Sequence, residues 1–239
     1  EPLALTVILN RGLANGATIV TMPRFEMESF LELIQKHRAT RLYLAPPVII
    51  GLAKSPLVDR FDLSSVQSIM VGAAPLDSAL AQTCAERIGC EVMQGYGLTE
   101  TSPVTHLTPL GRNKPGSIGP PVANTEAIVV DLASGNPLGP GEPGEIWVRG
   151  PQVMKGYLGQ PAATADVFAR DGWFRTGDIA FVDKDGYFTI VDRAKELIKY
   201  KGFQVPPAEL EGVLVSHPSV ADAAVIGVPD QEAGEVPKA

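Results

Sequence analysis

The first hundred residues alternate short β-branched runs with helical stretches, and few folds accept that order. Residues 3–14 are apolar and end at Asn15-Gly16, the pattern of a helix with a glycine stop. Ala17–Met22 is rich in β-branched residues and reads as a strand. Glu26–Arg38 places Met27, Phe30, Leu31 and Ile34 on one helical face. Arg41–Ala45 is a second strand, and Pro46-Pro47 opens a short helix to Lys54, because proline is tolerated in a first helical turn. Gln67–Val71 is a third strand ending at Gly72, Asp77–Ile88 a helix stopped by Gly89, and Cys90–Gln94 a fourth strand. Strands alternating with helices argue for a parallel sheet covered by helices.

Ligands of such sheets sit beyond the carboxyl ends of the strands. Two glycine-marked turns fall at that edge: Gly72-Ala73-Ala74-Pro75 and the run from Gln94 to Thr101, Gln-Gly-Tyr-Gly-Leu-Thr-Glu-Thr. A tyrosine between glycines can lay its ring on a flat ligand without obstruction from its own chain. Thr-Glu-Thr offers hard oxygens and hydroxyls, the chemistry of Mg²⁺ and phosphate.

After Pro103 the texture changes. Residues 109–124 are dense in Gly and Pro, and four β-rich runs follow: Thr125–Asp131, Glu145–Arg149, Thr176–Val182 and Tyr187–Val191. This spacing predicts a small antiparallel barrel or sandwich. From Asp192 a third texture begins, with a helix over Ala208–Val215 and a strand over Val220–Val228. The expected organisation is an α/β part over 1–122, a β-barrel subdomain over 123–191, a hinge over 192–204, and the start of a small α+β C-terminal domain over 205–239.

The formal net charge of −7 and the lack of a basic stripe argue against nucleic acid or an anionic membrane as partner. No apolar run is long enough to span a bilayer. Cys84 and Cys90 lack CxxC spacing and do not make a secreted scaffold; they read as free thiols of a cytoplasmic protein, with one disulfide and a peroxisomal location as the alternatives. Gly139-Pro140-Gly141-Glu142-Pro143-Gly144 matches a dinucleotide fingerprint in letters, but its prolines remove amide donors and no helix follows, so it reads as a tight loop. Asp183-Lys184-Asp185-Gly186 reads as a hairpin turn, and His37, His106 and His217 have no zinc spacing.

Two more runs carry chemistry. Gly172-Trp173-Phe174-Arg175-Thr176-Gly177-Asp178 puts an acid inside a β segment, where it could accept both hydroxyls of a ribose. The neighbouring run Gly144–Gly150 reads as a structural strand without a catalytic role. Asp192–Gln204 crowds Arg193, Lys195, Lys199 and Lys201 into ten residues, suited to a phosphate-bearing small molecule.

Jointly and in this order, these runs resemble the adenylate-forming superfamily of acyl-CoA ligases, beetle luciferases and peptide-synthetase adenylation domains. Among these, Lys199–Val205, Pro207–Glu211, Gly234–Ala239 and the pair Pro103-Val104 look most like 4-coumarate–CoA ligase. The resemblance implies a ligase that joins a small carboxylic acid to ATP, forming acyl-AMP, and then to CoA. It implies that Ala73 and Ala74 flank adenine and the acyl group, and that Gln94, Gly95 and Tyr96 wall the adenine. Thr99 would bind phosphate and Glu100 Mg²⁺. Asp178 would hold the ribose and Arg193 support it. Lys195 would sit at the pivot and Lys199 contact the adenylate. Lys201 and Gly202 would meet CoA, and Gln204 would reach the reaction centre. Gly72, Gly97, Pro103 and Val104 would line the acyl pocket. A fatty acyl-CoA ligase, a luciferase-like enzyme and a non-catalytic nucleotide-binding fragment are the alternatives.

The superfamily's upstream phosphate loop and its C-terminal catalytic lysine are not among these residues. Both ends look like cuts, so the expectation for this polypeptide alone is little or no turnover, with an exposed apolar edge.

Overall fold

The computed structural model describes residues 3–72, 76–194, 196–201, 203–215, 217, 219–220, 223–230 and 232–239. The chain divides into two compact units, one of Glu1–Thr125 with Gly150–Gly156, the other of Glu126–Arg149 with Tyr157–Ala239.

The first unit opens with a π-helical segment, Leu3–Asn10, that tightens into α1 (Arg11–Ala14). Leu5, Leu9 and Leu13 on this segment are exposed. Helix α2 (Met27–His37) buries Leu31 and Ile34, the stripe its periodicity predicts, and ends with Arg38 in the left-handed region (φ 48°). Strand β1 (Arg41–Leu44) leads into α3 (Pro46–Lys54), which begins with its two prolines. Strand β2 (Ser68–Val71) and α4 (Ser78–Ile88) follow; Asp77 caps α4 by accepting the Leu80 N–H at 2.9 Å, and Gly89 closes it at φ 78°. Strand β3 (Glu91–Gly97) pairs parallel to β2, as β2 does to β1. Ile49, Leu52, Ile69, Val71 and Cys84 form the buried centre between sheet and helices.

Two features of this unit depart from the sequence reading. Ala17–Met22 is not a strand: it finds no ladder partner among the described residues and lies mostly exposed, and β-branched composition without a neighbour does not make a strand. The sheet gains its fourth strand elsewhere, at β4 (Val104–Leu107), which returns antiparallel along β3. The extension of β3 to Gly97 also places the first half of the octapeptide in the sheet rather than in a turn.

In the second unit β5 (Glu126–Val130), β6 (Gly144–Arg149), β7 (Phe174–Val182) and β8 (Phe188–Arg193) pair antiparallel in sequence order. Among the described residues no pairing joins β5 to β8, so the sheet is open and the expected barrel is not closed; Val130, Ile146, Val148 and Ala180 are buried in it. Helix α5 (Pro161–Val167), which the sequence reading did not assign, lies in the β6–β7 connection. Asp183 Oδ1 accepts the Asp185 and Tyr187 N–H groups, and Gly186 takes φ 82°, which makes Asp183–Gly186 the expected hairpin turn. The run after Asp192 holds a short hairpin, β9 (Ile198–Tyr200) and β10 (Phe203–Val205), then α6 (Pro207–Val215). Strand β11 (Ile226–Asp230) starts later than expected and pairs with β12 (Gly234–Lys238), giving a second sheet of order β10-β9-β12-β11.

Arg87 on α4 fastens the end of α3. Its guanidinium donates to the carbonyls of Leu52 (3.2 Å), Ala53 (3.0 Å) and Ser55 (2.8 Å) and pairs with Asp59 at 2.7 Å. A cation here meets carbonyls that a helix end leaves without intrahelical partners. Arg87→Met should lower unfolding free energy by about 2 kcal/mol, read as a lower urea midpoint with an unchanged slope; an unchanged midpoint would contradict the role.

Candidate active site

In the first unit the candidate residues gather where β2 and β3 end. Gly72 follows β2, and a Cβ placed on it would lie 3.7 Å from the Gly95 carbonyl, so the two glycines are neighbours across adjacent parallel strands. Gln94 is buried and its Nε2 donates to the Leu76 carbonyl at 3.4 Å; its own carbonyl accepts the Thr108 amide and hydroxyl at 3.2 and 3.1 Å. Ala73 and Ala74, between these points in the chain, lie outside the described residues.

Tyr96 is partly exposed and faces His106 across the β3–β4 ladder, with ring centroids 5.7 Å apart and planes tilted by 59°. Gly97 is a steric requirement: a Cβ there would run into the Pro103 carbonyl, where the register between the strands slips. Pro103 and Val104 are thus held against the end of β3, which puts three of the four expected acyl-pocket residues together and Gly72 one strand away.

The turn between the strands carries Thr99 and Glu100 on a single 3₁₀ turn, Thr99–Thr101. Thr101 is fully buried and ties that turn shut. Its Oγ1 accepts the Leu98 N–H at 2.9 Å and donates to the Pro103 carbonyl at 2.6 Å. The Glu100 carbonyl accepts the Met154 N–H at 2.7 Å, a second anchor from the 150–156 segment. Thr99 is left exposed and Glu100 partly exposed. Among the described residues no three His, Cys, Asp or Glu side chains gather as a metal cluster. A single carboxylate beside hydroxyls still suits Mg²⁺, which commonly takes one or two protein carboxylates and completes its shell with water and substrate phosphates.

In the second unit Asp178 and Arg193 face each other across β7 and β8, with Arg193 Nε 3.2 Å from Asp178 Oδ1. The Asp178 side chain is only 7% exposed against 63% for Arg193, so the acid is fixed and its cation reaches solvent. Gly177, at φ 75°, and Thr176 lead into it; the Thr176 Oγ1 accepts the Asp178 N–H at 3.1 Å and donates to the Ile146 carbonyl at 2.8 Å.

Beyond β8, Asp192 accepts the Arg193 N–H at 2.6 Å and the Ala208 N–H at 3.3 Å, joining the strand end to the first turn of α6. Lys199 lies exposed on β9 with its N–H donating to Glu235 at 2.7 Å, and Gln204 stands opposite it on β10. Lys201 occupies the tip between those strands at φ 48°, with its Nζ 5.7 Å from the Tyr200 ring centroid. Lys195, Gly202 and the side chain of Gln204 lie outside the described residues. The sequence reading counted the Thr101 hydroxyl with the phosphate chemistry of Thr-Glu-Thr rather than as a lock on its turn, and assigned no role to His106 or Glu145. For His106 and Glu145 the signal was local: an imidazole and a carboxylate inside strand runs that mostly bury their side chains.

Against known proteins, residues 3–158 match the model of the AMP-binding enzyme family and residues 209–239 that of the AMP-binding enzyme C-terminal domain. The chain belongs to the AMP-binding enzyme family. It is 51% identical over 225 residues to probable 4-coumarate–CoA ligase 3 of Dictyostelium discoideum, covering 93% of this chain and 41% of that protein. It is 49% identical over 242 residues to 4-coumarate-CoA ligase 2 of Narcissus pseudonarcissus, covering 99% of this chain and 42% of that protein. The solved anthranilate CoA ligase AuaEII, in complex with anthranoyl-AMP, superposes with a TM-score of 0.90 at 30% identity, over 99% of this chain and 46% of that one. The chain therefore spans about two fifths of the length of these curated relatives.

Both thiols are free, and burial pushes Cys84 and Cys90 up to about 11. Burial likewise holds the His106 imidazolium down, to about 3 from an ordinary 6.5, while Thr105 Oγ1 bonds its Nδ1 at 3.0 Å. The ring beside Tyr96 is therefore neutral at physiological pH. Below pH 6.5 the unfolded chain takes up a proton that the folded chain refuses, so this contribution is complete above 6.5 and is lost as pH falls toward about 3. Urea unfolding at pH 6.5 and pH 5 should show stability falling in the wild type and falling less in His106→Gln; equal slopes would contradict this.

Proposed function

We propose that this chain carries the nucleotide-binding and hinge parts of an ATP-dependent acid–CoA ligase acting on 4-coumarate or a related aryl acid. The observation that carries the reading is the match, at about half identity over nearly the whole chain, to proteins named 4-coumarate–CoA ligase. The structural likeness to a ligase holding anthranoyl-AMP supports an aryl acid.

In the first half-reaction a carboxylate oxygen of the acid attacks the α-phosphorus of ATP, and pyrophosphate leaves. Tyr96, with Gln94, Gly95, Ala73 and Ala74, receives the adenine. The 3₁₀ turn clamped by Thr101 presents the Thr99 hydroxyl to phosphate and Glu100 to Mg²⁺. Mg²⁺ bound there would offset charge on the phosphate oxygens. The acyl group lies against Gly72, Gly97, Pro103 and Val104. Asp178 accepts the ribose hydroxyls, oriented by its ion pair to Arg193.

In the second half-reaction the CoA thiolate attacks the acyl carbon and AMP leaves. Residues 192–204 are the hinge between the α/β and β-sheet parts (1–122 and 123–191) and the C-terminal part (205–239), with Lys195 at the pivot. Lys199 and Gln204, opposed on β9 and β10, serve the thioester step, and Lys201 with Gly202 meets CoA. Gating by such a hinge lets one set of residues run two steps.

The test is ATP–pyrophosphate exchange by the native protein containing this chain, with 4-coumarate, other aryl acids and fatty acids as partners. Exchange is expected with aryl acids, and Glu100→Ala should lower it ~10²–10³-fold at low Mg²⁺. Exchange with no acid would overturn the reading, and exchange with fatty acids alone would overturn the aryl assignment.

A further inference from the structure

Strands β6 and β7 are paired at Glu145↔Ile179 and again at Trp147↔Arg175. Between these pairs β6 has one residue, Ile146, while β7 has three, Thr176, Gly177 and Asp178. The bulge lifts the approach to Asp178 out of the β6 ladder, and groups freed in this way need other partners. On the β8 side the backbone supplies one: the Ala194 N–H donates to the Gly177 carbonyl at 2.9 Å. On the β6 side a side chain does. Glu145 Oε1 accepts the Gly177 N–H at 2.9 Å.

The other carboxylate oxygen of Glu145 is also engaged. Oε2 accepts the Trp147 indole N–H at 2.8 Å and lies 3.5 Å from Arg175 Nε. Arg175 in turn sits over the Trp147 ring, 5.8 Å from its centroid. Glu145 is 5% exposed, so a buried charge is held by three donors from β6 and β7. Isolated buried carboxylates are costly, and one fixed at both oxygens is a rigid acceptor. Its grip falls one residue before Asp178, on a glycine whose φ of 75° sets the direction of the following peptide.

We propose that Glu145 is a positioning residue for Asp178: by holding the Gly177 amide it fixes the bulge that aims the Asp178 carboxylate at the hydroxyls of a ribose. The inference rests on the reading of Asp178 as the ribose acid. Glutamine in place of Glu145 keeps the shape but turns one oxygen into a donor. That donor must then face either the Gly177 N–H or the indole N–H, and the charge that holds Arg175 is gone.

The experiment is equilibrium titration of the native protein containing this chain with AMP and with 2′,3′-dideoxy-AMP, which lacks both hydroxyls. The readout is the ratio of the two affinities. The wild type should prefer AMP at least about tenfold, as charge-assisted hydrogen bonds to two hydroxyls require. Asp178→Ala should abolish the preference. Glu145→Gln should cut it about fivefold while leaving affinity for the dideoxy nucleotide within about twofold, and should cut nothing further on the Asp178→Ala background. Trp147→Phe, which removes one donor from Oε2 and keeps the aromatic packing, should cut it about twofold and serves if Glu145→Gln does not fold. A wild type without preference for the hydroxyls would sink the ribose assignment itself. A wild-type preference retained in folded Glu145→Gln and Trp147→Phe would overturn the role of Glu145 alone, as would an equal loss of affinity for both nucleotides.

Discussion

Amides and carbonyls that leave a sheet ladder inside a protein must be bonded again, or their desolvation destabilises the fold. This chain leaves its ladders where its candidate residues sit, and side chains take over the bonding. At the end of β3 the Thr101 hydroxyl closes the turn that presents Thr99 and Glu100. In β7 the Glu145 carboxylate and the Thr176 hydroxyl close the bulge before Asp178. At the end of β8 the Asp192 carboxylate bonds the Arg193 amide and the first turn of α6. In each case a buried or half-buried polar side chain bonds the backbone beside a candidate residue.

The chemistry of the candidate residues follows from those placements. Thr99 and Glu100 are accessible because their turn is held from behind, by Thr101 and by the Met154 amide. Asp178 is buried and paired, and so is rigid; Arg193 carries the pair's exposed side. Tyr96 stands against a histidine that burial keeps neutral, so no cation develops beneath the ring at physiological pH. Preorganised groups of this kind reach a ligand without reorganising first, which is where electrostatic stabilisation is most effective.

Much of the first unit was legible in the sequence because local signals and tertiary partners agreed. Asp77 and Gly89 mark the ends of α4, and Leu31 and Ile34 the buried face of α2. Ala17–Met22 failed because composition does not report whether a neighbouring strand exists. Strand β4 was overlooked because its four residues follow a proline-bearing turn and hide beside the motif they support. The open sheet of β5–β8 differed from a barrel because strand count and turn spacing do not determine closure. In the site, Thr99 and Glu100, which reach solvent, and the buried Asp178 stood out as chemistry. Thr101 stood out with them as a hydroxyl, but not as the lock of its own turn, and Glu145 did not stand out, since a buried Thr or Glu declares its partner only in three dimensions.

The central proposal is that the end of β3 receives the adenine and phosphate of a nucleotide and that the bulge of β7 aims an acid at a ribose. Titration of the ¹⁵N-labelled chain with AMP, followed through backbone amide shifts, tests it directly. Saturable shifts are expected at Gly95–Thr101 and at Gly177 and Asp178, with α2 and β11 unmoved. Saturation without movement at either segment, or no response to AMP at millimolar concentration, would contradict it.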